Sequence, residues 1–184
     1  SVLNTSKYLS NTIDDFRYFF KPQKEKTTFS LESCIEKTID LLNANFLERN
    51  IKIISRIDDV NIFGYETELI QVLINILNNS KDVLQTLEDD ERLVFIEVKK
   101  DGKKAIIKIK DNAGGINPDV IEKVFEPYFT TKHQAQGTGI GLYMCQEIIH
   151  KHMNGHIDIS NTEYEHNNKK YKGAMSIIVL DITE

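Results

Sequence analysis

Four short segments of this 184-residue chain carry groups that could do chemistry. Asn75 and Asn79 stand four apart, so any helix that contains them shows both on one face. An amide oxygen is a hard, neutral ligand. It suits the octahedral shell of a Mg2+ ion that phosphates and water otherwise complete. A pair of surface or capping asparagines has the same spacing, and that reading stands beside the first. In Asp111-Asn112-Ala113-Gly114-Gly115-Ile116 a carboxylate precedes two glycines that let the backbone turn sharply and come close to a ligand. Such a carboxylate accepts the exocyclic amine of adenine well; it is equally the start of an Asx turn leaving a strand. Gly137-Thr138-Gly139-Ile140-Gly141-Leu142 would open a helix whose first N–H groups, at the positive end of the dipole, form an anion site suited to phosphate. The run matches neither the dinucleotide fingerprint nor a Walker loop. Phe125-Glu126-Pro127-Tyr128-Phe129-Thr130-Thr131-Lys132 reads as an aromatic anchor for a flap, followed by a cation able to reach phosphate oxygens, or as a hydrophobic tether beside a solvated lysine.

The elements that must position these groups follow from periodicity. Val2, Leu9, Ile13, Phe16 and Phe20 form a narrow helical stripe close to a coiled-coil seam, which Pro22 ends at or before Lys21. Gln23-Lys24-Glu25-Lys26 is a polar linker, so the expected division is a helical segment over 1–22, a linker over 23–27 and a main domain over 28–184. Leu31, Ile35, Ile39, Leu42 and Phe46 define a second amphipathic helix, and a strand is expected over 51–57. From Glu66 to Leu87 the residues Leu69, Val72, Leu73, Ile76, Val83, Leu84 and Leu87 mark the longest helix, with Asn75 and Asn79 displaced from its apolar stripe. Alternation at Val94, Ile96 and Val98, the dipeptide Asp101-Gly102, and renewed alternation at Ile107 and Ile109 make a β-hairpin ending at Asp111. A long loop with a short helix near 119–124 should follow, and loops of that length are usually functional. A helix from Gly139 to about His152 and two strands, 156–161 and 174–182, flanking a polar tip at 163–172, complete an α+β fold. It is a two-layer sandwich with a mixed, mostly antiparallel sheet and helices on one face.

Composition narrows the function. With 28 acidic against 23 basic side chains, the chain has no broad positive field for a nucleic-acid backbone, so nucleic acid is not expected as a partner. Cys34 and Cys145 fall in no paired or metal-ligand spacing, which favours a reducing compartment and a cytoplasmic location. No apolar run has the length to cross a bilayer. His150, His152 and His156 do not share one helical face, so solvated histidines are expected there rather than a metal cluster.

In their order along the chain, the four segments resemble the boxes of the nucleotide-binding domain of two-component sensor histidine kinases. Residues 68–82 look like the asparagine-bearing box, 111–116 the first glycine box, 125–132 the phenylalanine box and 137–142 the second glycine box; the resemblance covers residues 28–184. It implies the Bergerat-type fold shared with gyrase, mismatch-repair and heat-shock-chaperone ATPases. It also implies cofactors, ATP and Mg2+, with Asn79 the metal ligand, Asn75 at the phosphate end and Asp111 on adenine. Gly115 and Ile116 would line the base, while Gly137, Thr138, Gly139, Ile140, Gly141, Leu142 and Lys132 hold the phosphates. Catalysis would rest on Asn75, Asn79 and Lys132.

The same resemblance separates rival activities. In the related ATPases and protein-Ser/Thr kinases a Glu one turn before the metal Asn acts as base. Asn75 stands there instead, and an amide cannot accept a proton, whereas a neutral imidazole needs less activation. A histidine acceptor is therefore expected, with an ATP-switched interaction module or a true ATPase as alternatives. The first helix looks like the end of a dimerisation hairpin whose acceptor histidine is missing, since no His precedes His133. The implied partners are that hairpin, a response-regulator receiver domain and, in the full-length protein, a second copy forming a homodimer; the whole protein could be membrane-anchored. Asp82 replaces a lysine that some members carry, which leaves phosphate neutralisation to Lys132 and the backbone. The short lid is expected to be ordered over 130–136 only with nucleotide bound.

Overall fold

The computed structural model describes Val2 and residues 25–88, 90–131 and 139–183. The expected hairpin remnant over 1–22 lies outside the described residues except for Val2, as do residues 23 and 24 of the expected linker. The described chain opens with strand β1, Thr27–Ser30, and helix α1, Leu31–Glu48, whose N-cap Ser30 accepts the Ser33 N–H. Strands β2, Ile51–Ile57, and β3, Asn61–Gly64, lead to helix α2, Glu66–Leu84. Strands β4, Arg92–Asp101, and β5, Lys104–Asp111, form the expected hairpin. A short helix α3, Pro118–Ile121, is followed by α4, Gly141–Glu147, and by strands β6, His156–His166, and β7, Lys169–Asp181.

The main sheet has the order β2-β4-β5-β7-β6, with β2 parallel to β4 and every other pair antiparallel, as the mixed and mostly antiparallel expectation required. One face carries the core. Val94, Ile96, Val98, Ala105, Ile107 and Ile109 alternate inward and meet Leu31, Ile35 and Phe46 of α1 and Leu69, Leu73 and Leu77 of α2. Asp111, two residues beyond Ile109, inherits the same inward direction. That parity, set by the apolar alternation, is why a carboxylate ends up under the helices rather than in water.

Several elements depart from the sequence expectation. A second, two-stranded sheet pairs β1 with β3 antiparallel; at four residues each, neither strand has enough alternation to announce itself. Helix α2 stops at Leu84, and Leu77 rather than Val83 completes its buried stripe, Val83 being 46% exposed. Helix α4 begins two residues later than expected, and its last turn widens into a π-helical turn, Ile148–His152, closed by the Met153 N–H on the Ile148 carbonyl at 3.1 Å. The expected polar tip at 163–172 is instead regular β-ladder up to a two-residue turn. Asn167 and Asn168 have φ values of 50° and 62°, and asparagine tolerates the left-handed region that this turn type needs at both centres.

Both cysteines are buried and free. Desolvation pushes the Cys34 thiol up to about 12, and burial raises that of Cys145 as well. Neither should be labelled by a thiol reagent at pH 8 in the native protein, and both should be labelled on unfolding; mass spectrometry of labelled samples along a urea titration reads this directly.

Candidate functional site

Asp111 is 5% exposed at the inward end of β5. Its Oδ1 accepts the Ala113 N–H at 3.0 Å and the Ala174 N–H at 3.3 Å, and the Ser80 hydroxyl of α2 donates to the same carboxyl. The first of these is the Asx turn that the sequence allowed. Here it exists together with two contacts from other elements. Desolvation raises the Asp111 pKa above the ordinary carboxylate range, and the three hydrogen bonds oppose that rise without cancelling it. The carboxylate is thus held at a cost, by donors from three separate segments.

The backbone after Asp111 runs through Gly114 and Gly115, with φ of 92° and 91°, values open to glycine and strained for other residues. Asn112 fixes the strand side of this turn: its Oδ1 accepts the Leu93 N–H at 2.9 Å and its Nδ2 donates to the Glu91 carbonyl at 2.6 Å. On the far side the Asn161 side chain spans Ile116, accepting its N–H and donating to its carbonyl, each at 2.7 Å. The Asp111 carbonyl accepts the Tyr164 hydroxyl at 2.6 Å. Gly173 lies so close to that carbonyl that no Cβ fits.

Helix α2 ties the remaining segments to this turn. A Cβ on Gly141, the first residue of α4, would collide with the Asn75 amide oxygen, so the second glycine segment packs directly on the first asparagine. Gly139, at φ 71°, passes equally close to the backbone of Tyr128 in the aromatic segment. Phe125 packs on the core while Tyr128 is 75% exposed, so only part of the aromatic segment acts as an anchor. Asn79 is half-buried one turn beyond Asn75 and next to Ser80. Asn75, Asp111, Gly115, Ile116, Gly139 and Gly141 therefore belong to one connected region. Ile140 and Leu142 flank Gly141, and Leu142 packs on the core. Lys132, Gly137, Thr138 and the segment expected to order with nucleotide lie outside the described residues, Thr130 and Thr131 excepted.

Sequence reasoning passed over Ser80, Asn161, Tyr164 and Gly173. A lone glycine inside a strand pattern does signal close backbone approach, so Gly173 could have been found. The other three carry no local signal. His150 stacks on His156 with centroids 5.6 Å apart, while His152 Nδ1 lies 2.9 Å from Glu68 Oε2. Among the described residues no group of three or more His, Cys, Asp or Glu converges to hold a metal, and no helix is long and apolar enough to cross a membrane.

The sheet is thus roofed by helices on one face, with a buried carboxylate at a strand end and a glycine segment packed on an asparagine-bearing helix. The chain belongs to the histidine kinase-, DNA gyrase B- and HSP90-like ATPase family, whose model matches residues 64–183. Sporulation kinase E of Bacillus subtilis (strain 168) is 33% identical over 169 residues, covering 88% of this chain and 22% of the relative. The chain spans about a quarter of the length of the curated relatives it matches. Among solved structures, the nucleotide-free catalytic domain of histidine kinase ThkA is 26% identical with a TM-score of 0.71, over 85% of this chain and 95% of that one. ThkA in complex with response regulator protein TrrA matches 99% of this chain and 49% of that one at 22% identity, with a TM-score of 0.73 and hence a likeness of fold.

Two outcomes follow from the packing and the charge. Gly173→Ala should destabilise the protein by about 1–3 kcal/mol, because the obstacle is backbone and cannot swing away. Gly102→Ala, where nothing lies within 4 Å and only the φ of 59° resists, should cost about 1–2 kcal/mol; urea midpoints compare them. For Asp111, a carboxyl with a raised folded-state pKa contributes stability that is fully present below the unfolded pKa and is lost as pH rises through the folded one. Asp111→Asn should therefore raise the unfolding free energy at pH 7 and converge with wild type in acid, measured as the difference between their urea midpoints across pH.

Proposed function

We propose that the chain is the ATP-binding catalytic domain of a sensor histidine kinase. In this reading it transfers the γ-phosphoryl group of Mg-ATP to a histidine on a dimerisation hairpin. The observation that carries this reading is the convergence on α2: Asn75 against Gly141, and Ser80 on Asp111, join the asparagine helix to both glycine turns. Asp111 accepts the exocyclic amine of adenine, with Gly115 and Ile116 along the base. Gly137 to Leu142 and Lys132 hold the phosphates, the first N–H groups of α4 having no acceptor within the helix.

Asn79 is the one protein ligand we assign to Mg2+. The donor chemistry fits that ion: a hard amide oxygen, with phosphates and water completing the shell. Bound there, the ion would offset charge on the phosphate oxygens. The residues of this chain then act by holding the nucleotide in line with an incoming imidazole, which is catalysis by position. Asn75 cannot take a proton from water or a hydroxyl, and the neutral imidazole does not require it to.

The hairpin bearing the acceptor, a second copy forming a homodimer, and a response-regulator receiver domain are the partners we assign to the whole protein, with this domain on the cytoplasmic side. The complex of ThkA with TrrA supports the receiver assignment by analogy of fold.

Mixing the chain with Mg-ATP and a separately supplied acceptor hairpin should put acid-labile phosphate on the hairpin, and Asn79→Ala should slow that transfer about 100-fold or more. Steady release of inorganic phosphate without a hairpin would instead make the domain an ATPase.

A further inference from the structure

We propose that Asn161 and Tyr164, both on β6, are positioning residues for adenine recognition, holding the 111–116 turn from opposite faces of the sheet. This rests on the nucleotide reading of Asp111 given above. The need for such residues lies in the turn itself. Two consecutive glycines at φ near +90° impose almost no conformational preference, so the position of Asp111 relative to Ile116 must be set from outside.

The tethers come from one hairpin. Asn161 continues the inward series of Ile157 and Ile159, and its amide pairs with both backbone groups of Ile116 as a neighbouring strand would. It can do so because Gly115 has no side chain: a Cβ there would lie 2.8 Å from Asn161 Oδ1. Tyr164 has the opposite parity and works from the outer face, donating to the Asp111 carbonyl. Its ring is held edge-on by Phe95 at 5.4 Å and covered by the Lys110 ammonium at 4.2 Å. The Gly114 N–H adds a third tether on the Lys172 carbonyl of β7, at 2.9 Å.

A role in position differs from a role in stability because the Ile116 pair is exposed. Water replaces those hydrogen bonds at small cost when the Asn161 amide is removed, and what is lost is the geometry.

The test uses the 184-residue chain with Asn161→Ala and the near-isosteric Tyr164→Phe, titrated with Mg-ATP and with Mg-inosine triphosphate, whose base lacks the exocyclic amine. Each variant should weaken ATP about tenfold, inosine triphosphate by about twofold or less, and leave the thermal midpoint within about 3 °C of wild type. In Asn161→Ala the Ile116 amide should also exchange faster in the nucleotide-free protein. Equal weakening of both nucleotides, or no weakening of ATP, would overturn the proposal even with wild-type binding intact. A wild type that does not prefer ATP to inosine triphosphate would overturn the adenine reading and this proposal with it.

Discussion

The constraint on which the rest of the site depends is the burial of one carboxylate at a strand end. Asp111 continues the inward alternation of Ile107 and Ile109, so the same pleat that builds the core carries a charge beneath the helices. A charge there is tolerable only with several donors, and a single turn cannot supply them. The chain therefore brings Ala113 from the turn, Ala174 from β7 and Ser80 from α2 to one carboxyl group. Each donor also fixes the element that carries it, so satisfying the charge sets the relation of helix, sheet and turn together.

That requirement explains the close approaches around the site. The β6–β7 hairpin must come near enough for the Ala174 N–H to reach the carboxylate, which presses Gly173 against the Asp111 carbonyl. Beyond Gly173 the hairpin continues past the end of β5, and Tyr164 crosses to Phe95 on β4 although β5 and β7 separate those strands in the sheet. The asparagine helix is held from its other side by α4, where Gly141 leaves room for the Asn75 amide. Glycine thus serves two different ends here. Gly114 and Gly115 supply backbone angles that other residues resist, while Gly141 and Gly173 supply the absence of a Cβ.

What was legible in the sequence divides along the same physical line. Local signals found α1, α2, the β4–β5 hairpin, Asp111 and the glycine turns, because each is written in consecutive residues: an apolar stripe, an alternation, a Gly following an Asp. The β1–β3 pair was illegible at four residues a strand, since its pairing is a property of two distant segments. Asn161, Tyr164 and Ser80 were missed for a related reason. Their roles are set by hydrogen bonds across 45, 53 and 31 positions of chain, and nothing in their neighbours anticipates those partners. The tip at 163–172 misled because polar composition suggests a loop. Yet the alternating Thr162, Tyr164 and His166 had an outer sheet face to cover, and the ladder ran on to His166.

The choice of acceptor in the proposed reaction turns on a smaller difference. A glutamate would reach one methylene further than Asn75, but the difference that decides the chemistry is in the terminal group. Only the carboxylate could take a proton from water during attack. An amide in that position leaves adventitious water without a base while still offering an oxygen and an N–H2 to the phosphate region. A nucleophile that arrives already deprotonated, as a neutral imidazole does, is not handicapped by the exchange. The same substitution that removes hydrolytic power therefore costs the proposed transfer little. In the proposed reading it would protect a bound nucleotide in the interval before an acceptor is presented, which suits a kinase and not a hydrolase.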